Sequence, residues 1–198
     1  MPLIMATGRE KFLGRIVNSL AEPIDNKGDI VFTMVKEEDY GTNLMIGPFK
    51  DSQLARTFKE SLTLSATRLS SFEYYPPSND MAAFIGAPIW DNGVLLGSIC
   101  TQIDTKKIFE LATDYKGLGK TGETVLAELQ GNEVKITAPL RHDPESAFKK
   151  IIPIGSEEAL PIQLATQAFE GTGASVDYHG VDVFVVWDYL HFPGWGMV

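Results

Sequence analysis

The chain predicts an α+β fold built twice: two tandem modules, each a five-stranded antiparallel sheet with flanking helices. Three observations predict it. First, 198 residues suit two domains of about 100 each. Second, strand-like runs are broken by hairpin signals such as Asp91-Asn92-Gly93. Third, the order strand, strand, helix, three strands occurs on both sides of a glycine-rich stretch, Gly117-Leu118-Gly119-Lys120-Thr121-Gly122-Glu123. Asp25–Thr33 is echoed by Gln130–Thr137 about a hundred residues later. Phe72-Glu73-Tyr74-Tyr75 with Phe84 is echoed by Val176-Asp177-Tyr178-His179 with Phe184. The first module takes 1–104 and the second 105–198.

Taken in order, Thr7–Leu20 reads two ways, although Phe12, Ile16, Val17 and Leu20 fit one helical face. Pro23 breaks the next apolar run and implies an edge or irregular segment. Asp29–Val35 is a strand by its β-branched content, and Glu37–Asn43 is a polar loop. Asp51 suits the N-cap of a helix burying Leu54, Ala55, Phe58 and Leu62. Strands follow over Leu69–Tyr75, Ala82–Trp90 and Val94–Asp104, then a short helix over 105–115. Glu123–Leu129 and Glu133–Ala138 form a hairpin, and 139–155 is irregular. A helix begins with Pro161 in its first turn and ends by Gly171-Thr172-Gly173. Ala174–Tyr178, Val181–Leu190 and Trp195 onward close the chain as strands, with Trp187 and Trp195 filling the second core. The last of these strands reads as cut in its middle, which implies a piece of a longer protein.

The glycine run decides one function class. Gly117-x-Gly119-x-x-Gly122 spells the dinucleotide fingerprint, which needs a strand before it and a helix after it. Here the helix comes first and the strand second. Gly119-Lys120-Thr121 fails as a phosphate loop because Asp114 stands where glycine is required. The run therefore reads as a helix-to-strand connection. A strand directly after Lys120 ends the nucleotide reading.

A formal net charge of −9 argues against a nucleic-acid partner. The single cysteine, Cys100, allows no intrachain disulfide. No apolar stretch reaches the roughly 18–20 residues of a membrane span, and Met1–Ala6 lacks the basic start of a signal peptide. His142, His179 and His191 are far apart, no HExxH or CxxC pair exists and no serine sits in a GxSxG elbow. The expectation is a non-enzymatic fragment with no cofactor and no metal.

With these pieces in order, the chain resembles the double Cache family, the PAS-like extracytoplasmic sensors of bacterial and archaeal transmembrane receptors. The resemblance runs from about Ile24 to Val198. It is carried by Glu37–Leu44, Gly47–Ala55, Phe72–Ser78, Ala82–Pro88, Gly97–Gln102 and Gly117–Thr124. It implies a membrane-distal module (1–104) that binds a small molecule and a membrane-proximal module (105–198). It also implies an output domain elsewhere, a histidine kinase first, with a chemotaxis signalling domain or nucleotide cyclase as alternatives. Homodimerisation is an implication for the full-length receptor.

Strand alternation places Leu96, Ser98, Cys100, Gln102 and Asp104 on one face of Val94–Asp104. That face either lines a ligand cavity or is an ordinary solvated strand face. As a cavity, Phe72, Tyr74, Tyr75 and Phe84 supply walls, while Gln102 and Asp104 aim at the ligand, Asp104 pairing with an amine. Arg56 and Arg68 either clamp a ligand carboxylate or are surface arginines. The expected partner is a small polar molecule, an amino acid or organic acid; the alternative of another class is a ligand-free interaction module.

Overall fold

The computed structural model describes residues 17–33 and 35–198, the side chains from residue 22 onward. The expectations placed on Phe12 and Ile16 lie outside these residues. The chain divides into two compact units, 1–107 and 108–198. Both are α+β with antiparallel sheets.

In the first unit, four strands run in the order β1 (Val17–Asp25), β6 (Val94–Ile103), β5 (Phe84–Asp91), β2 (Arg68–Leu69). A separate hairpin pairs β3 (Glu73–Tyr75) with β4 (Asp80–Ala82). Among the described residues the sheet has four strands rather than five, because Asp29–Thr33, the start of the strand expected over Asp29–Val35, does not join the ladder. Isolated bridges, Ile24 with Ile30 and Asp29 with Asn43, stand in place of a strand ladder in this segment. The cause is Pro23. Its carbonyl accepts from Val31 N at 3.1 Å, so its N–H position faces the same outer edge and offers no donor there. The ladder stops, and β1 remains the edge strand that Pro23 predicted.

Helix α1 (Gln53–Leu64) lies on the sheet and buries Leu54, Ala55, Thr57 and Phe58. Its N-cap is Ser52, not Asp51: the Ser52 hydroxyl accepts from Ala55 N at 3.1 Å. A second cap comes from outside the helix, Glu73 Oε1 accepting from Gln53 N at 2.6 Å. Gly86 permits the close approach, since a Cβ there would sit 2.9 Å from the Thr57 methyl and 3.1 Å from Cys100 Sγ. The hairpin at Asn92-Gly93 forms as predicted, both residues having positive φ.

Helix α2 (Thr105–Ala112) spans the boundary between the units and is followed by the glycine run. Gly117 and Gly119 adopt positive φ, and β7 begins at Leu126. A strand, not a helix, follows the run, so the nucleotide reading is closed.

The second unit holds six strands in the order β10 (Gly171–Val176), β11 (Asp182–Leu190), β12 (Trp195–Met197), β7 (Leu126–Gln130), β8 (Glu133–Ile136), β9 (Ile151–Pro153). Strand β9 lies within the span expected to be irregular. Its two-sided setting is local: Ile152 is buried while Ile151 is exposed, and three residues leave too short an alternation to detect. Helix α3 (Leu160–Thr166) carries Pro161 in its first turn as predicted and covers β11, β12 and β7. Trp195 is buried, and Trp187 packs against the core formed by Val125, Ile136, Ile152 and Ile162 among others.

Candidate ligand site in the first unit

A polar cluster lies inside the first unit. Glu22 on β1 stands directly across from Cys100 on β6, so both side chains project to the same face of the sheet. That is the face covered by α1, since the hydroxyls of Ser61 and Ser98 meet across it at 2.8 Å. The loop after β1 folds back over this face. Its base is closed by Ile30 N to Thr42 O at 3.0 Å and Leu44 N to Gly28 O at 2.7 Å. Asn43 locks the closure, donating to Asp29 Oδ1 at 2.7 Å and accepting from Met45 N at 2.8 Å.

Within the loop, a tight turn presents Asp39, whose backbone carbonyl accepts from Thr42 N at 2.9 Å and Thr42 Oγ1 at 2.7 Å. The Asp39 side chain is 0% exposed. The Tyr75 phenol donates to its Oδ2 at 2.5 Å. Its Oδ1 is buried and has no hydrogen-bond partner among the described residues. Thr33, also buried, donates to Glu22 Oε1 at 3.3 Å. The Tyr75 ring is held between Phe84, centroid at 4.9 Å and edge-on, and Phe49 at 6.0 Å.

These groups perturb each other strongly. Burial, then the charge of Asp39, pushes the Glu22 carboxyl up to about 8; the Thr33 hydrogen bond opposes this and Glu37 adds to it. Burial and then the Asp39 charge raise Glu37 as well. Burial and the hydrogen bond to Asp39 hold the Tyr75 phenol far above its ordinary value, so it remains a donor. Burial pushes the Cys100 thiol up to about 12, with Glu22 contributing.

The structure brings together only part of the predicted site. Tyr75 is buried against Asp39, Phe84 is buried against the Tyr75 ring, and Phe72 is buried in the same unit. Gln102 projects to the same face as Phe84, its register partner, and donates to Ser78 Oγ at 3.3 Å. Four other predicted residues lead elsewhere. Tyr74, the neighbour of Tyr75 on an alternating strand, is 57% exposed and donates to Asn79. Asp104 Oδ1 accepts from Lys106 N at 3.0 Å and so caps α2. Arg56 and Arg68 both turn to Glu60, Nε to carboxylate at 3.0 and 3.6 Å. They line a polar cleft of about 220 Å³ with Gln53, Thr57 and Ser70.

Sequence reasoning missed Glu22, Thr33 and Asp39. Glu37-Glu38-Asp39 is an acidic run in a polar loop, which reads as solvated. The available signal was Thr42 three residues after Asp39, a side chain able to fix the turn. Nothing in the sequence indicates that the turn folds inward.

No protein-family model matches the chain, and no curated protein does. Solved structures do. The extracellular domain of mmHK1S-Z2, named as a histidine kinase, superposes with a TM-score of 0.60 at 11% identity, covering 94% of this chain and 75% of that one. The ligand-binding domain of Mlp24 with asparagine gives 0.55 at 12% identity over 94% and 68%. The ligand-binding domain of the Pseudomonas aeruginosa PAO1 amino-acid chemoreceptor PctC, in complex with GABA, gives 0.57 at 14% identity over 98% and 81%. The chain therefore shares its α+β fold, over both units, with these extracellular and ligand-binding domains.

Proposed function

We propose that the chain is the extracytoplasmic ligand-sensing part of a transmembrane receptor, a sensor histidine kinase first, and that its first unit binds a small polar molecule. The observation that carries this reading is Asp39, a wholly buried carboxyl group with one oxygen lacking a partner among the described residues. A buried acceptor of this kind is costly unless something satisfies it. The fold adds weight, because solved domains sharing it hold asparagine and GABA. A chemotaxis receptor is the second reading, favoured by PctC, which is named as a chemoreceptor.

The first unit takes the membrane-distal role and the second the membrane-proximal one. Ligand binding then shifts the receptor between two states by its differential affinity for them. A thermal-shift screen across amines, amino acids, organic acids and purines tests the sensing role. A ligand at a hundredfold excess over its Kd stabilises the folded chain by about 2.7 kcal/mol. A reproducible rise in Tm with any of these compounds supports the reading; flat melts across all of them at millimolar concentration count against it.

A further inference from the structure

The chemistry of the first unit's cluster selects among small polar molecules. Three segments converge there: β1 brings Glu22, the following loop brings Thr33 and Asp39, and the β3 end brings Tyr75. The charges acting on Glu22 are those of Asp39 and Glu37, and the same acidic groups act on the Tyr75 phenol. The cluster is thus locally negative, and it repels a carboxylate. Arg56 and Arg68, the groups suited to a carboxylate, line a different cleft, one whose lining includes none of Glu22, Asp39 and Tyr75; Arg68 Nε is buried there without a hydrogen bond, 3.6 Å from Glu60. An ammonium group carries three N–H donors and no acceptor. It matches Asp39 Oδ1 and the Glu22 carboxyl, and it pays for its own desolvation only through such pairing. The Tyr75 ring, packed by Phe84 and Phe49, adjoins Asp39, and an aromatic ring suits a short alkyl chain or, over its face, a cation.

We infer that Glu22, Asp39 and Tyr75 hold the ammonium group of a small aliphatic amine that carries no carboxylate. This inference rests on the sensing role proposed above. Asp39 supplies the fixed anionic acceptor, kept in place by the Tyr75 phenol on its other oxygen. Glu22 supplies the second acceptor and gives up its proton to solvent as the cation enters.

Isothermal titration of the whole chain with butylamine, 1,4-diaminobutane, GABA, asparagine and succinate tests this. Saturable one-to-one binding of an amine is expected, weakened at least tenfold by Asp39→Asn and by Glu22→Gln. Tyr75→Phe keeps the ring and is expected to weaken binding several-fold. Circular dichroism of each variant separates lost binding from lost folding, and Glu22→Gln, at a partly exposed position, serves if Asp39→Asn unfolds. Amine affinity unchanged in a folded Glu22→Gln chain would overturn the inference. Binding of GABA, asparagine or succinate in place of the amines would also overturn it while leaving the sensing role standing. No binding by either amine overturns it too, and the broader thermal-shift screen then decides the sensing role separately.

Discussion

Tyr75 and Asp39, 36 residues apart, are joined by a 2.5 Å hydrogen bond inside the first unit's core. The bond links the β3 end to the loop that follows β1. It also fixes which oxygen of Asp39 has a hydrogen-bond donor and which has none among the described residues.

Removing that phenol tests how much the loop depends on it. Tyr75→Phe retains the ring packing on Phe84 but deprives a buried carboxyl of its donor. A loss of about 1–3 kcal/mol is expected in urea unfolding, the cost of a buried polar group left unpaired. A loss under about 0.3 kcal/mol would mean that the loop is held by its Asn43 and Thr42 closures alone.

Glu22 makes stability depend on pH in a defined direction. Its carboxyl titrates near 8 in the folded chain against an ordinary 4.5. Between these values the folded state binds more protons than the unfolded one, so stability falls as pH rises through the window and levels off above it. Glu37, raised for related reasons, acts in the same direction. The groups facing Glu22 are Asp39, Glu37, Thr33, Tyr75 and Cys100. Each tenfold change in proton affinity is worth about 1.4 kcal/mol, and partial solvation of Glu22 reduces the expected loss to roughly 1–3 kcal/mol. Melts from pH 5 to 9 should slope downward in the parent chain and be flatter in Glu22→Gln; parallel slopes would remove Glu22 as the cause.

The start of α1 has two independent caps on different N–H groups. Ser52→Ala and Glu73→Ala should each cost about 0.5–2 kcal/mol, and the double variant close to their sum. Strong non-additivity in the denaturation midpoints would show instead that Glu73 orders the Ser52 turn.

Gly86 and Cys100 report on the helix–sheet contact. Gly86→Ala places a methyl against Thr57 and Cys100 Sγ and is expected to cost about 1–3 kcal/mol. Adding Cys100→Ala should recover part of it. Cys100 itself is 0% exposed with its thiol pushed up to about 12. A disulfide reagent should therefore modify it only after denaturant is added; rapid labelling of the native chain would contradict this packing.

The sequence alone determined the elements whose signals are local. Asn92-Gly93 encodes its turn because only such residues take positive φ cheaply. The 3.6-residue spacing of Leu54, Ala55 and Phe58 marks the buried face of α1. Pro23 marks an edge because it lacks a donor. The glycine run declares itself a connection by what flanks it. Two repeats of one strand and helix order were enough for the tandem α+β class. The tertiary structure decided what each polar side chain faces. Asp104 stands directly before the helix expected over 105–115, a local cap signal, whereas nothing near Asp39 distinguishes a solvated loop from a buried acceptor. The role of Asp39 follows from long-range closures, Ile30 to Thr42 and Tyr75 to Asp39, which fold a polar loop over the sheet face. Burial then sets the dielectric and hence the charge state of Glu22, a property of the surroundings that residue type and spacing do not carry.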